Sequence, residues 1–373
     1  MKRTVFKKAA GSVAILLALV LTLISFGCAP AKEEGVLINS TPSDGESVAI
    51  LPEKLRTFYA DYESPSTANE LYNCFDIYMP EPVRISWTYD GDADYYVVGL
   101  SLNKDIEISG SDGVDYYLAD ESSVEVTELY SGKTYYYRVF AVKGSEIVAS
   151  IPFSFKTEDF IRTVYIDGVS NTRDLGGKVA AGGKRIKQGI IYRGGNVDGV
   201  TKRGRVDFLE KLGIKCEIDL RTGTEISPFH KDINVVSVKA PMYIGGDMGI
   251  DLPEYQPELA KEIKAFADPE NYPIYFHCAI GRDRTGTLAC LIQLLVGVSE
   301  EEIEKDYITS YFSYIASTRD VLPGDFVYNI RNLINYIRNY SDGSLTKNLE
   351  KFLNDIGVTD EEIKAIRANI LEG

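Results

Sequence analysis

The chain has 373 residues, of which 45% are hydrophobic and 25% charged, so it is long and apolar enough for two globular domains. Its 55 acidic residues outnumber its 40 basic ones, which gives a formal net charge of −15 at pH 7. This acidic balance argues against nucleic acid as a partner and against charge-driven binding to anionic membranes.

Residues 1–27 have the pattern of a secretory signal peptide, with four basic residues ahead of an apolar run over 13–26. The run ends at Gly27-Cys28 and resembles the lipobox of bacterial lipoproteins, which implies that Cys28 is lipidated. Ordinary cleavage and an uncleaved anchor are the alternatives. Loss of the four basic residues would take the net charge from −15 to −19. We expect residues 28–40 to be a tether and the protein to be extracytoplasmic, lipid-anchored to a bacterial cell membrane.

Residues 41–157 are predicted to form an all-β sandwich. Tyrosines are dense, and apolar and polar residues alternate in stretches such as 84–89 and 95–100. Trp87 and the later run 129–141 resemble the fibronectin type III module, with 59–81 as an insertion or irregular loop. We expect the aromatic residues to pack in the core and on the sheet surface.

Residues 160–373 alternate predicted strands and helices, which indicates an α/β domain with a mostly parallel sheet flanked by helices. Strands are expected at 215–220, 235–238 and 274–277, and helices from Thr201 to Gly213 and over 258–266. Ser299 with Glu302, and Thr359 with Glu362, fit capping boxes that start later helices.

The stretch from Tyr275 to Gly286 places Cys278 in a loop between an apolar strand and an apolar helix, with Arg284 six positions later. Loop amides, the helix N-terminus and Arg284 would favour the thiolate form of Cys278 and bind a phosphoryl group. Thr285 could donate a hydrogen bond to the Cys278 sulfur, and we expect His277 to fix the loop. The remaining residues expected to line the phosphate site are Ala279, Ile280, Gly281, Arg282 and Gly286.

This combination resembles the signature loop of cysteine-dependent tyrosine and dual-specificity phosphatases. The order Gly-basic-Asp-Arg-Thr-Gly looks like a bacterial branch related to a secreted mycobacterial tyrosine and lipid phosphatase, in which Lys is usual where this chain has Arg282. Further resemblance lies in Asn171–Gly177, Gln188–Arg193, Asp219–Glu225 and the C-terminal stretches around 298–307 and 357–359. The resemblance implies phosphomonoester hydrolysis through a phospho-cysteine, on phosphotyrosine proteins or peptides and on phosphoinositides as a further class.

The general acid stays open at this point. Related phosphatases hold an Asp on a mobile loop ahead of the Cys, and Asp247 and Asp251 occupy that region among glycines. Asp283 and Asp219 compete with them. Asp283 is unusual, since a carboxylate in a phosphate loop repels the substrate unless it points away or carries a proton.

Two other functions are compatible with these sequence features. A phosphate-binding pseudoenzyme or adhesin would use the sandwich as its working part, and a rhodanese-like sulfur transferase would also use a Cys loop. With only two histidines, no cofactor and no metal are expected. Cys216 is predicted on a strand near Cys278, so a reversible disulfide between them is conceivable, although an inert buried Cys is the commoner outcome.

Overall fold

The structure is a computed structural model that describes residues 37–71, 78–221, 224, 226–313 and 323–373. They divide into two compact units. The β unit contains the described residues up to Ile50 and residues 81–159, and the α/β unit contains 51–80 and 160–373. Within the described ranges, no helix has the length and apolar character needed to cross a membrane. The predicted signal peptide and Cys28 lie outside these ranges.

The β unit is built from two sheets. Its strands are β1 (Leu37–Thr41), β2 (Glu46–Val48), β3 (Val83–Tyr89), β4 (Tyr95–Ser101), β5 (Val114–Ala119), β6 (Ser123–Val126), β7 (Thr134–Lys143), β8 (Glu146–Ala149) and β9 (Phe153–Thr157). One sheet has the order β1-β3-β6 and the other the order β2-β9-β7-β4-β5, with β8 paired to β7. On β3, Val83, Ile85 and Trp87 are buried while Arg84 and Thr88 are exposed, which is the alternation the sequence predicts.

The predicted domain boundaries differ from these units in two places. Residues 37–40 of the predicted tether are part of β1, because Leu37 and Ile38 pair with Tyr89 and Thr88 of β3. Residues 51–80, predicted to belong to the sandwich, lie in the α/β unit. The reason is that this segment packs Phe58 against Phe312 of that unit.

The α/β unit contains a sheet of six strands: β10 (Arg162–Thr163), β11 (Arg173–Asp174), β12 (Ile191–Gly194), β13 (Cys216–Asp219), β14 (Asn234–Ser237) and β15 (Ile274–His277). The order is β10-β11-β12-β15-β13-β14. Neighbouring strands are parallel in the run β12-β15-β13-β14. Strands β11 and β10 extend the sheet beyond β12 in antiparallel pairs. The expected α/β class with a mostly parallel sheet is therefore correct for this unit.

The helices of this unit are α1 (Glu53–Ala60), α2 (Lys202–Val206), α3 (Gln256–Lys264), α4 (Asp283–Leu295), α5 (Glu300–Thr309), α6 (Pro323–Arg338), α7 (Leu345–Asp355) and α8 (Asp360–Ile370). Helix α4 contacts β12 and β15 as well as α5, α6 and α7. Because neighbours surround it, α4 is buried from Thr285 to Leu295 and is apolar around its circumference. Thr359 and Glu362 form the predicted capping box of α8, whereas at Ser299 only the side-chain cap is present.

Candidate active site

The Cys278 loop lies at the carboxyl end of the central strand of the parallel sheet. Strand β15 is paired on one side with β12 and on the other with β13, and it ends at His277. Helix α4 begins at Asp283, so residues 278–282 turn between the end of a buried strand and the N-terminus of a buried helix. This is the edge of a parallel sheet at which ligands bind.

Four carbonyls of this loop are held by groups that contact it from outside. Ile280 O accepts from Asn171 Nδ2 at 2.8 Å, and Gly281 O accepts from Arg193 Nη2 at 3.0 Å. Ala279 O accepts from Asn196 Nδ2 at 2.8 Å, and Cys278 O lies 3.2 Å from His277 Nδ1. In a trans peptide the N–H points opposite to the C=O, so the amides that follow these carbonyls are directed into the loop. The arrangement is suited to an anion.

A buried charge network stands behind these supports. Asp306 of α5 accepts from Arg173 Nε at 2.9 Å and from Arg193 Nη1, and Lys178 Nζ lies 3.6 Å from the same carboxylate. Burial alone would raise the pKa of Asp306, but the three cations outweigh burial and hold this pKa below its usual range. Arg173 Nη1 also donates to Asn171 Oδ1 at 2.7 Å. The Asn171–Gly177 signature is thereby connected to the loop, a role that its sequence alone did not reveal.

Close approaches require two glycines, one in the loop and one in the first turns of α4. Gly281 has φ +75°, and a Cβ there would lie 2.3 Å from backbone atoms of Gly194. A Cβ on Gly286 would lie 2.7 Å from the ring of Tyr307. The loop can therefore rest against β12 and α5 only because these residues carry no side chain.

His277 belongs to a second buried cluster at the base of the loop. Its Nε2 lies 2.9 Å from Glu217 Oε1, and Ser227 Oγ donates to the other oxygen of Glu217. Asp219 accepts from Arg221, and although burial would raise the pKa of Asp219, these hydrogen bonds lower it. Ligand atoms of Glu217, Asp219 and His277 lie within 4.8 Å of one another. Their hydrogen bonds already engage them, which identifies the cluster as a support of the loop.

Cys278 and the following residues occupy the centre of the site. Cys278 is buried, with 5% of its surface exposed. Half-buried Arg284 donates from Nη1 to Leu220 O at 3.2 Å, and its Nη2 lies 3.7 Å from Met248 Sδ. The predicted bond from Thr285 to the Cys278 sulfur is not formed: Thr285 Oγ1 is buried with no hydrogen-bond partner among the described residues. Thr285 is therefore left with a donor that a substrate or intermediate could use.

The Arg282 side chain is placed differently from the prediction. Arg282 Nε donates to Asp283 Oδ1 at 2.8 Å, and its guanidinium lies 4.9 Å from the ring centre of Tyr311. Tyr243 donates to the same Asp283 oxygen at 2.7 Å. Arg282 is only 4% exposed, so this cation is neutralised inside the protein instead of lining the phosphate site. The Asp283 carboxylate is thus engaged by Arg282 and Tyr243.

The predicted acid-bearing loop lies beside Arg284. A single helical turn, Gly246–Met248, carries exposed Asp247, and Met248 contacts Arg284. Asp251 Oδ1 accepts from Gly245 N at 2.7 Å, so Asp251 ties the turn together. Among the predicted acids, Asp247 is the exposed one, and the residue that follows it contacts Arg284.

The conceivable disulfide between Cys216 and Cys278 is excluded by strand register. Cys216 pairs with Ile274 at the start of β15, and Asp219 pairs with His277 at its end. Four residues of strand separate the two cysteines by about 13 Å along the sheet. A disulfide requires Cα atoms within about 7 Å. Cys216 is the inert buried cysteine, and burial raises the pKa of its thiol to about 12.

Comparisons with known proteins agree with this geometry. The sequence model of the tyrosine phosphatase family matches residues 164–372. A Cupriavidus necator protein called "Putative tyrosine-protein phosphatase" is 31% identical over 171 residues, 39% of this chain and 61% of that protein. A tyrosine-protein phosphatase of Nostoc commune is 28% identical over 125 residues, 28% of this chain and 42% of that protein. The chain thus matches less than two thirds of the length of either relative.

A solved structure was also found, the core catalytic domain of the PP-IP phosphatase Siw14 from S. cerevisiae in complex with citrate. It is 22% identical and covers 40% of this chain and 86% of its own. Its TM-score is 0.27.

Proposed function

Because the chain belongs to the tyrosine phosphatase family, we propose that it hydrolyses phosphomonoesters, with phosphotyrosine proteins or peptides as its main substrates. The observation that carries the proposal is that side chains outside the loop donate hydrogen bonds to the carbonyls of Ala279, Ile280 and Gly281. These hydrogen bonds direct the following amides toward the inside of the loop, where Cys278 and Arg284 meet a phosphoryl group.

The proposed reaction has two steps. The Cys278 thiolate attacks phosphorus, the S–P bond forms, and the P–O bond to the leaving group breaks as that oxygen receives a proton. Water then attacks phosphorus, the S–P bond breaks, and the thiolate returns while inorganic phosphate leaves. Arg284 matches two phosphoryl oxygens with its planar fork, and the buried hydroxyl of Thr285 is available to stabilise the departing thiolate.

Asp247 is proposed as the general acid of the first step and the general base of the second. Its carboxylate is exposed on a turn whose next residue contacts Arg284. The alternatives are already occupied: Asp283 binds Arg282 and Tyr243, and Asp219 is held ionised by Arg221. Gly245 and Gly246 both have positive φ, which favours glycine, and glycines leave the backbone of the turn free to adjust toward a leaving group.

Two finer features of the sequence are part of the proposal. Tyr130 N donates to Tyr135 Oη at 2.8 Å, which resembles the tyrosine corner of Ig-like sandwiches and supports a fibronectin type III-like β unit. The signal pattern ending at Cys28 supports a lipid anchor outside the cytoplasm. The β unit would then act as a spacer between the membrane and the phosphatase.

A substrate panel on the purified full-length protein tests the activity. We expect release of phosphate from a phosphotyrosine peptide, with a phosphoserine peptide and phosphoinositide vesicles defining selectivity. Cys278→Ser should abolish turnover while a phosphate ester still binds, because the anion site remains. Turnover by this variant, or sulfur transfer from thiosulfate by the wild type, would contradict the mechanism. Inactivity of the wild type on every ester would favour a phosphate-binding pseudoenzyme.

A further inference from the structure

Residues 51–80 make an excursion out of the β unit. The two ends of the segment are joined within that unit, where Glu81 N donates to Ile50 O at 2.9 Å. Between these ends the chain forms α1 and a short helical stretch, Pro65–Leu71, and both belong to the α/β unit. The sequence motifs of the phosphatase family begin only after residue 160, so nothing in them accounts for this segment.

The segment packs against α5 and the residues that follow it. Phe58 meets the ring of Phe312 edge-on at 5.1 Å, and the Tyr59 hydroxyl lies 2.7 Å from Thr309 Oγ1 in a buried contact. Nearer the surface, Tyr62 donates to Glu304 Oε2 at 3.0 Å. These contacts cover one side of the helix that carries Asp306.

Tyr78, at the end of the segment, reaches the charge network behind the phosphate loop. Its hydroxyl accepts from Arg173 Nη1 at 3.1 Å, and the side chain is 6% exposed. The same Arg173 nitrogen donates to Asn171, whose amide holds the carbonyl of Ile280. Arg173 also binds Asp306, which binds Arg193, and Arg193 holds the carbonyl of Gly281.

Two hydrogen-bonded routes therefore connect the Tyr78 hydroxyl to the loop. One route passes through Asn171 to Ile280 O, and the other passes through Asp306 and Arg193 to Gly281 O. Arg173 is fully buried, and a buried guanidinium that loses an acceptor shifts toward its remaining ones. A shift of Arg173 would move the supports of both carbonyls together.

We propose that Tyr78 is a positioning residue of the phosphatase, and that the excursion 51–80 is a working part of the catalytic unit. It acts through Arg173 and touches neither substrate nor Cys278. The inference rests on the proposed function, since the loop that Tyr78 positions is the proposed phosphate site. It also predicts that a catalytic fragment beginning at residue 160 would have an incomplete support for its loop.

The test compares Tyr78→Phe with Tyr62→Phe in the full-length protein. Both substitutions remove one hydroxyl from the same segment, but only the first removes a partner of Arg173. We expect kcat/KM for an aryl phosphate to fall about ten- to a hundredfold in Tyr78→Phe, the size of one lost hydrogen bond to a charged group. Tyr62→Phe should retain wild-type kinetics, and the two variants should have similar melting temperatures.

Hydrogen exchange of the amides over 279–282 gives a second readout that does not need turnover. Faster exchange in Tyr78→Phe than in Tyr62→Phe supports the positioning role of Tyr78 even if the wild type hydrolyses none of the esters. A failure of the proposed activity can therefore be distinguished from a failure of this inference. Wild-type exchange and kinetics in Tyr78→Phe would overturn it. Equal losses in both variants with a common fall in melting temperature would also overturn it, because they would indicate a purely structural segment.

Discussion

Among the residues that support the Cys278 loop, Asn171 is the one whose substitution should lower the free energy of unfolding by the most clearly defined amount. It is 2% exposed, its backbone has φ 60°, and its side chain donates to Ile280 O at 2.8 Å while accepting from Arg173 at 2.7 Å. Asn171→Ala removes the hydrogen bonds to Ile280 O and Arg173, and each loss should lower the free energy of unfolding by about 1–3 kcal/mol because the groups are buried. Holding Ala in the left-handed region adds about 1–2 kcal/mol.

The free energy of unfolding of the α/β unit is therefore expected to fall by about 3–8 kcal/mol in Asn171→Ala. Asn171→Gly loses the same hydrogen bonds but tolerates the positive φ, so it should be about 1 kcal/mol more stable than the Ala variant. Asn196→Ala is the matched control. Its exposed amide also serves a loop carbonyl, Ala279 O, but that carbonyl keeps the Asn196 backbone N–H at 3.3 Å. The control should change stability by no more than about 0.5 kcal/mol.

Urea unfolding followed by far-UV circular dichroism measures this effect. The helices of the described chain all lie in the α/β unit, whereas the single tryptophan, Trp87, reports on the β unit. The helical transition should move to lower urea in the Asn171 variants while the tryptophan transition stays unchanged. If Asn171→Ala unfolds at the same urea concentration as Asn196→Ala, the Asn171 side chain does not stabilise the loop through its hydrogen bonds, and the reasoning is wrong.

Four further outcomes are expected. In Asp247→Asn, activity on esters with poor leaving groups should fall about 10²–10⁴-fold, and activity on activated aryl esters should fall much less. The basic limb of the pH profile should disappear in this variant. Asp251→Asn should instead lower the activity on both kinds of ester equally. Equal effects in Asp247→Asn would remove it as the acid. At mildly alkaline pH, iodoacetamide should modify Cys278 but spare Cys216, whose thiol stays protonated below its raised pKa of about 12. Peptide mass spectrometry measures the modification, and alkylation of Cys216 with Cys278 unmodified would contradict this expectation. Mass spectrometry should also find a diacylglyceryl group on Cys28, and a soluble product that begins elsewhere would refute the anchor. Chelators should leave turnover unchanged, and a loss that zinc or magnesium restores would indicate a metallophosphatase.

The sequence predicts well the features that depend on neighbours in the chain. Strand β15, the loop and the buried helix α4 follow from an apolar run, glycines and a second apolar run within residues 274–295. Thr201 caps its helix as expected, because its hydroxyl accepts from Gly204 N. That helix continues as a π-helical turn over Asp207–Lys211, a detail to which the hydrophobic period is insensitive.

Features that depend on distant partners could not be read in this way. A basic residue in a phosphate loop suggests a ligand for phosphate, yet Arg282 is taken up by Asp283 and the ring of Tyr311. Segment 51–80 carries no motif, and its role depends on pairs such as Tyr59 with Thr309, which are 250 positions apart. Glu217 looks like an ordinary strand residue until β13 is paired with β15 and brings it to His277.

The late position of Asp306 in the chain has a consequence for biosynthesis. Asp306 binds Arg173 and Arg193, and Arg193 in turn holds the carbonyl of Gly281 in the loop. A nascent chain that has just exposed Cys278 from the ribosome lacks all of these contacts. The Cys278 loop therefore gains this support only after helix α5 has emerged from the ribosome.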